Sequence, residues 1–136
     1  MQVTGGSVLT DAGFVSADIA SEGERFAAVE PRSAATRADE AVIDAAGCYV
    51  IPGLIDLHFH GCVGYDFCDG TEEAIDAIAR HEASCGVTAI CPATMTYPED
   101  VLGPLMDAAA SSGAQRDGAA LGGVDMDGPY LAPGTR

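Results

Sequence analysis

The chain has 136 residues, of which 48% are hydrophobic, and its 17 glycines and 7 prolines are typical of a compact folded protein rather than a disordered one. Its length suffices for one modest domain. The formal net charge is −15 and all six basic residues are arginine, which excludes a nucleic acid or an anionic membrane as partner, because either requires a basic patch.

The N-terminus and the cysteines indicate the cellular compartment. The first ten residues, MQVTGGSVLT, lack the charged and apolar regions of a signal peptide, and no apolar run approaches the roughly 20 residues of a membrane span. Five cysteines are an odd number and lack the spacing of a disulfide framework. We therefore expect a cytoplasmic protein with reduced thiols, most of them small core residues.

The first 52 residues predict a small β module. Brief apolar or alternating runs, SVLT, FVSADIA and RFAAVE, are separated by the turn-forming sequences DAG, SEGE and PRSAATRADE, and the run AVIDAAGCYVIPG adds one or two strands. A module of this size is too slight to be independently robust.

From Gly53 onwards the pattern changes to alternating strands and helices. LIDLH (54–58) predicts a buried strand, and DGTEEAIDAIARHEASCG predicts a helix that Thr71 or Asp69 caps. Ile75, Ile78 and Ala79, with Cys85 further on, form its apolar stripe, and Gly86 ends it.

The next elements repeat this alternation. VTAIC (87–91) predicts a strand, and Pro98 suits the first turn of a second helix whose apolar positions are Val101, Leu102, Leu105, Met106 and Ala109. That helix ends at SSG, and AALGGVDM (119–126) predicts a third strand. This β-α-β-α-β order implies a parallel sheet. Three strands do not close a barrel, so we expect an unpaired edge and aggregation in isolation.

Two of the three histidines lie one residue apart, in IPGLIDLHFHG (51–61). Side chains alternate along a strand, so His58 and His60 are expected on one side and Phe59 on the other. If this strand belongs to a barrel, both imidazoles converge at its carboxyl end, where one metal ion can be shared. On spacing alone, the favoured interpretation is that the histidines end a strand and form local hydrogen bonds.

The surrounding sequence resembles a known family. DAAGCYVIPGLIDLHFHG matches the entry signature of the amidohydrolase superfamily. HGCVGYDFCDGT (60–71), GVTAICPATMT (86–96) and GVDMDGPYLAP (123–133) are similar to successive landmarks of its N-acetylglucosamine-6-phosphate deacetylase family, with looser similarity over 1–40. The resemblance implies an α/β fold. Residues 53–136 would form the first three βα strands of a metal-dependent (β/α)8 TIM-type barrel, and 1–52 the N-terminal part of a small β-sandwich domain.

The resemblance also implies metal ligands for a divalent cofactor, Zn or Fe, as one or two ions. His58 and His60 correspond to the family's His-x-His pair, and Asp127 to a carboxylate that family members normally supply as Glu. Aspartate is one methylene shorter, so the backbone must move or the ion loses a bond of about 2.0–2.2 Å. Asp125, two residues earlier, is expected to assist or compete. Without the resemblance, Asp127 would be interpreted as an Asx-type turn residue before Gly-Pro.

The implied reaction is hydrolysis of the acetamide of N-acetyl-D-glucosamine 6-phosphate to glucosamine 6-phosphate and acetate. In such chemistry a divalent ion lowers the pKa of water towards about 7, and a carboxylate carries the proton to the leaving amine. That carboxylate, two further histidine ligands and the phosphate-binding residues are expected beyond Arg136. The chain is therefore interpreted as an N-terminal fragment that is inactive alone. The full-length family protein is expected to be a homodimer acting on an amino-sugar phosphate.

Two alternative functions stay open at this point. Another amidohydrolase, such as a dihydroorotase-like enzyme, a deaminase or an amino-acid deacylase, would share PGLIDLHFH, but it would not be expected to carry DFCDGT and DGPYLAP at these places. The second alternative is a non-catalytic metal-binding or interaction module.

The remaining candidates carry less chemistry. His81 is expected to be a solvated or core-edge residue of the first helix. Cys62 and Cys68 could join His58 and His60 in a structural zinc site, but their spacing lacks the usual knuckle pattern. A last group is expected only to shape the loop after the first barrel strand: Gly61, Gly64, Asp69 and Gly70.

Overall fold

A computed structural model describes residues 1–31, 40–112, 117–132 and 134. The chain divides into two compact units, Met1–Pro52 and Gly53–Arg136. Most of the predicted turn PRSAATRADE, the Gly113 at the end of the second predicted helix, and Pro133 of GVDMDGPYLAP lie outside the described residues.

The first unit is one mixed five-stranded sheet. Its strands are β1 (Gln2–Thr10), β2 (Gly13–Glu22), β3 (Arg25–Pro31), β4 (Val42–Asp44) and β5 (Tyr49–Val50). The order is β3-β2-β1-β4, with β5 also paired to β1. The β1–β2 and β2–β3 pairs are antiparallel, whereas β4 and β5 run parallel to β1.

The first three strands pair more extensively than the sequence predicted. β1 and β2 contain 9 and 10 residues and are longer than the runs SVLT and FVSADIA. Polar residues extend these strands because their side chains can lie on a sheet surface that is only half buried. Val8, Ala17 and Ile19 form the buried cluster. The β-sandwich remains a prediction, since the described residues of this unit form a single sheet.

The second unit contains short strands and two helices of 13 residues. The strands are β6 (Leu54–Asp56), β7 (Gly61–Cys62), β8 (Tyr65–Asp66), β9 (Val87–Ile90), β10 (Ala93–Thr94), β11 (Ala120–Leu121) and β12 (Asp125–Met126). The helices are α1 (Glu72–Ser84) and α2 (Glu99–Ser111), and a 3₁₀ helix covers Phe67–Asp69. None of the helices in the described part is long and apolar enough to cross a membrane.

Apart from the antiparallel β7–β8 hairpin, the strands of this unit pair in parallel, which confirms the predicted α/β class and strand direction. One sheet has the order β11-β9-β6, and a second pair joins β10 to β12. The predicted third strand, 119–126, is interrupted after Leu121 and resumes at Asp125. The interruption falls at Gly122–Gly123, where no side chains are available to pack.

Helix α1 begins and ends as its sequence predicts. The Thr71 side chain accepts a hydrogen bond of 3.2 Å from the Ala74 N–H, and Gly86 follows the helix with φ of 87°, a conformation that glycine adopts without strain. Asp69 instead belongs to a capping box of the 3₁₀ helix with Asp66. Ile78 and Ala79 pack with Val87, Ile90 and Ala119 in one buried cluster.

Several buried positions were predicted wrongly. LIDLH is exposed rather than buried: Leu54, Ile55 and Leu57 are 52%, 64% and 67% exposed. Strand β6 is also the edge strand of a three-stranded sheet. Cys85 and Val101 also face solvent. The cysteines are not core residues, since Cys48 and Cys85 are exposed and the other three are half-buried.

Candidate metal centre

Backbone hydrogen bonds align three segments of the second unit side by side. The Cys91 N–H donates to the Asp56 carbonyl at 2.8 Å, the Ala93 N–H to the Phe59 carbonyl at 2.7 Å, and the Asp125 N–H to the Pro92 carbonyl at 3.0 Å. The pairing between parallel strands therefore continues past the ends of β6 and β9. This arrangement brings the residues after β6 close to those of β12.

The side chains of His58, His60 and Asp127 converge where these segments meet. One potential ligand atom from each residue lies within 4.8 Å of the other two. The two imidazole centroids are 5.3 Å apart with planes at 82°, and His60 Nε2 lies 3.7 Å from Asp127 Oδ2. Phe59 packs instead against the cluster around Ile78. The structure thus brings together the three residues predicted as metal ligands.

Asp125 makes a shorter side-chain contact with His58 than Asp127 makes with His60. His58 Nδ1 donates to Asp125 Oδ2 at 2.9 Å, and the His58 backbone N–H donates to Asp56 Oδ1 at 3.1 Å. The hydrogen bond to Asp125 is the main cause of a raised pKa of His58; desolvation opposes it, and the charges of Asp127, Asp125 and Asp56 add to the increase. Asp125 therefore orients His58, a role that sequence reasoning left undecided.

The donor chemistry fits a divalent ion such as Zn²⁺ or Fe²⁺. Imidazole nitrogen and carboxylate oxygen are both common ligands of these metals. His60 Nδ1 is buried and lacks a hydrogen-bond partner among the described residues, although buried polar atoms are normally paired. With His58 Nδ1 held by Asp125, its other ring nitrogen remains for an ion, the arrangement common around metal-bound histidine.

Asp127 is held in place through its backbone. The Thr96 hydroxyl donates a hydrogen bond to the Asp127 carbonyl. The next residue, Gly128, has φ of 149°, and a Cβ there would lie 2.9 Å from Thr96 Cγ2. The close approach of this backbone to Thr96 therefore requires a glycine. This contact holds the backbone of the neighbouring Asp127 in place.

The structural zinc site considered from the sequence is not assembled in the described part of the chain. Cys62 lies with His81 and Glu82 instead of with His58 and His60, and Cys68 Sγ accepts a hydrogen bond of 3.2 Å from the Met95 N–H. His81 is half-buried, as expected for a core-edge residue. Its neighbours could not be foreseen, because they depend on how a hairpin folds against α1.

Curated relatives of this chain are sugar-phosphate deacetylases. The N-acetylglucosamine-6-phosphate deacetylase of Vibrio furnissii is 37% identical over 83 residues, which cover 60% of this chain and 21% of that protein. The Bos taurus protein of the same name is 32% identical over 92 residues, or 65% and 22% of the two chains. An N-acetylgalactosamine-6-phosphate deacetylase of Escherichia coli O157:H7 is 36% identical over 87 residues, or 60% and 22%.

Solved structures share the fold. The N-acetylglucosamine-6-phosphate deacetylase of Pasteurella multocida superposes with a TM-score of 0.83 at 22% identity, covering 97% of this chain and 35% of that one. A variant of the Mycobacterium smegmatis enzyme in complex with N-acetyl-D-glucosamine-6-phosphate gives 0.73 at 24% identity, covering 97% and 33%.

These comparisons confirm the resemblance predicted from the sequence, over part of the chain. No family model matches the sequence of this chain. The chain spans about a fifth of the length of the curated relatives that it matches, and those relatives are hydrolases.

Proposed function

We propose that this chain, which is similar to N-acetylglucosamine-6-phosphate deacetylases, supplies the His-x-His pair and one carboxylate of the metal centre of such an enzyme. The observation that carries the proposal is the convergence of His58, His60 and Asp127, with ligand atoms within 4.8 Å of one another. In a chain with only three histidines, two of them meet the carboxylate that the sequence resemblance selected.

Each of these residues has a distinct task in the proposed site. His58, His60 and Asp127 would hold the ion, and Asp125 is a positioning residue because it fixes the ring of His58. A bound divalent ion would lower the pKa of a water molecule and polarise an amide carbonyl. The Asp127 carboxylate adds negative charge that favours the cation, while the Thr96 hydroxyl holds its backbone.

The proposed fold context is a barrel. The three parallel strands β6, β9 and β11 would be the first strands of a (β/α)8 barrel, since metal ligands there lie after the carboxyl ends of strands. Residues 1–52 would belong to a small β-sandwich domain and 53–136 to the barrel. The similarity of both units to solved deacetylases supports this assignment.

The proposed substrate class is an N-acetylated amino-sugar phosphate. The relatives named for N-acetylglucosamine 6-phosphate and for N-acetylgalactosamine 6-phosphate have similar sequence identities to this chain. The proposal therefore names the substrate class and not one sugar. A phosphate needs cationic partners, yet in the described part of the second unit the arginine is Arg80, which pairs with Asp76 at 3.7 Å. The chain alone is therefore expected to be inactive. Homodimer formation and a cytoplasmic location remain predictions.

Two assays test the proposal. Equilibrium dialysis against Zn²⁺ uses the purified chain in a Cys62→Ser/Cys85→Ser background, which removes two thiols that could also bind zinc. This chain should bind Zn²⁺, and adding His58→Ala/His60→Ala should abolish the binding, whereas adding Asp11→Asn, at an exposed turn residue of the first unit, should leave it unchanged. Acetate release from N-acetylglucosamine 6-phosphate and from N-acetylgalactosamine 6-phosphate should be undetectable with this chain alone. It should be detectable with a longer protein that contains this chain as its N-terminal part. Binding that survives His58→Ala/His60→Ala, or turnover of dihydroorotate instead, contradicts the proposal.

A further inference from the structure

A second cluster of metal-ligating side chains lies at the end of α1. Potential ligand atoms of Cys62, His81 and Glu82 lie within 4.8 Å of one another, and Cys85 Sγ lies 3.9 Å from His81 Nε2. We propose that these four residues form a metal site for a thiophilic divalent cation such as Zn²⁺. The site shares no residue with the centre formed by His58, His60 and Asp127, so it does not rest on the proposed function.

Helix geometry places three of the four ligands together. His81 and Cys85 are four residues apart, so they lie one above the other on the same face of the helix end. Glu82 lies beside them, and its side chain also reaches the cluster. Gly86 follows the helix immediately, so the negative end of the helix dipole lies near the cluster.

The fourth ligand, Cys62, is fixed by the β7–β8 hairpin. Val63 and Gly64 form its two-residue turn with φ of 48° and 87°, as in a type I′ turn. The Tyr65 hydroxyl donates a hydrogen bond of 2.9 Å to Glu73 Oε1 of α1, and Cys62 itself packs against the buried cluster around Ile78. The hairpin therefore holds the thiol against α1, and the ligands from the two elements are preorganised.

The distances suit a tetrahedral ion after a small closure. Zinc bonds of about 2.0–2.3 Å place tetrahedral ligand atoms about 3.3–3.8 Å apart. The 3.9 Å between His81 and Cys85 is already close to this spacing. For each pair among the ligand atoms of Cys62, His81 and Glu82, the 4.8 Å limit leaves at most about 1.5 Å of closure.

Alternative uses of the Cys62 thiol fit less well. Burial, followed by the charge of Glu82 and the hydrogen bond to it, raises the pKa of Cys62. A reactive nucleophilic cysteine needs the opposite shift, because the thiolate is the attacking species.

Cobalt substitution tests the site. Co²⁺ added anaerobically to the reduced chain should produce a sulfur-to-cobalt charge-transfer absorption in the near ultraviolet, which His58, His60 and Asp127 cannot produce because none carries sulfur. The absorption should disappear in Cys62→Ser/Cys85→Ser and persist in Cys68→Ser, whose thiol is also half-buried. It should also persist in His58→Ala/His60→Ala. The affinity should fall by roughly tenfold or more in His81→Asn.

Two results would overturn the second site while leaving the first untouched. One is the absence of the absorption in native chain whose circular dichroism shows its helices. The other is an absorption that survives in Cys62→Ser/Cys85→Ser. Loss of Zn²⁺ binding only in His58→Ala/His60→Ala would support the proposed function and argue against this inference.

Discussion

His58 Nδ1 and Asp125 Oδ2 are 2.9 Å apart although 67 positions separate these residues in the chain. The contact exists because hydrogen bonds between parallel segments continue past the ends of the strands, from Asp56 through Cys91 and from Pro92 to Asp125. A carboxylate that holds one imidazole nitrogen orients the ring and defines its tautomer. This pair thus links the fold of the second unit directly to its candidate metal centre.

The first prediction concerns the protonation of His58. Its pKa is raised, first by the hydrogen bond to Asp125 and then by neighbouring carboxylate charges, so Asp125→Asn should lower it towards the ordinary value. Because the folded-state pKa is the higher one, the stabilisation from this pair is complete at pH values below the unfolded-state pKa. It is lost as pH rises through the folded-state pKa. An NMR titration of the imidazole C–H signals measures the shift.

A matched variant makes that titration decisive. Asp107 is exposed on α2 and is absent from the groups that shift the His58 pKa, so Asp107→Asn should leave the His58 titration curve in place. An unchanged curve in Asp125→Asn, or equal shifts in both variants, would show that the observed hydrogen bond does not govern His58.

The second prediction concerns the carboxylate at position 127. Asp127→Asn keeps the size of the side chain but removes the charge, so the affinity of the first site for Zn²⁺ should fall by roughly tenfold or more. Asp127→Glu, one methylene longer, retains the carboxylate and should bind at least as tightly as the native chain. Isothermal titration with Zn²⁺ in a Cys62→Ser/Cys85→Ser background measures this site alone. Equal affinities for the Asn and Glu variants would contradict a ligand role.

The third prediction concerns the turn of the β7–β8 hairpin. Val63 has φ of 48°, which is strained for a β-branched residue, while its side chain is 56% exposed. Val63→Asn should therefore stabilise the chain by about 1 kcal/mol, because asparagine tolerates this conformation. Urea unfolding followed by circular dichroism measures the change.

Val101 offers a control for this substitution. It is 40% exposed but lies in α2 with ordinary helical backbone, and valine and asparagine have similar helix propensities, so Val101→Asn should change the stability by less than about 0.5 kcal/mol. Stabilisation by both substitutions would indicate a general effect of removing exposed valine, and would remove the evidence for strain at Val63.

The fourth prediction concerns the exposed edge at β6. Leu54 and Ile55 of β6 and the following Leu57 are more than half exposed. Strand β6 lies at the edge of a parallel sheet, and unpaired apolar edges promote association. The chain should self-associate as its concentration rises, and Ile55→Lys should shift sedimentation velocity profiles towards the monomer. Leu131→Lys, at a residue 53% exposed outside the strands, should not. Equal behaviour of both variants would contradict a role for the edge.

Regular local signals made part of the fold predictable. The boundaries of α1 follow from Thr71 and Gly86, because a side-chain cap and a left-handed glycine act within one turn of the helix. The parallel direction of β6 and β9 follows from the intervening helix. A helical crossover returns the chain to the end of the sheet at which the first strand began, so the second strand runs in the same direction. The helix boundaries and the strand direction depend on residues that are close together in the chain, so they can be predicted from the sequence.

The remaining features depend on distant residues. A two-residue strand such as β7 has no periodicity to detect, and so the position of Cys62 beside His81 could not be predicted. The exposure of Ile55 depends on the number of strands in the sheet rather than on its own sequence. The contact of His58 with Asp125 likewise depends on strand order, which a pattern of residues does not specify.

The measurement that tests the central claim most directly is anomalous diffraction at the zinc edge from crystals of the chain grown with Zn²⁺. We predict a peak within about 2.0–2.2 Å of a ring nitrogen of His58, a ring nitrogen of His60 and a carboxylate oxygen of Asp127. A structure in which these three side chains lie apart, with zinc bound only elsewhere, would contradict it.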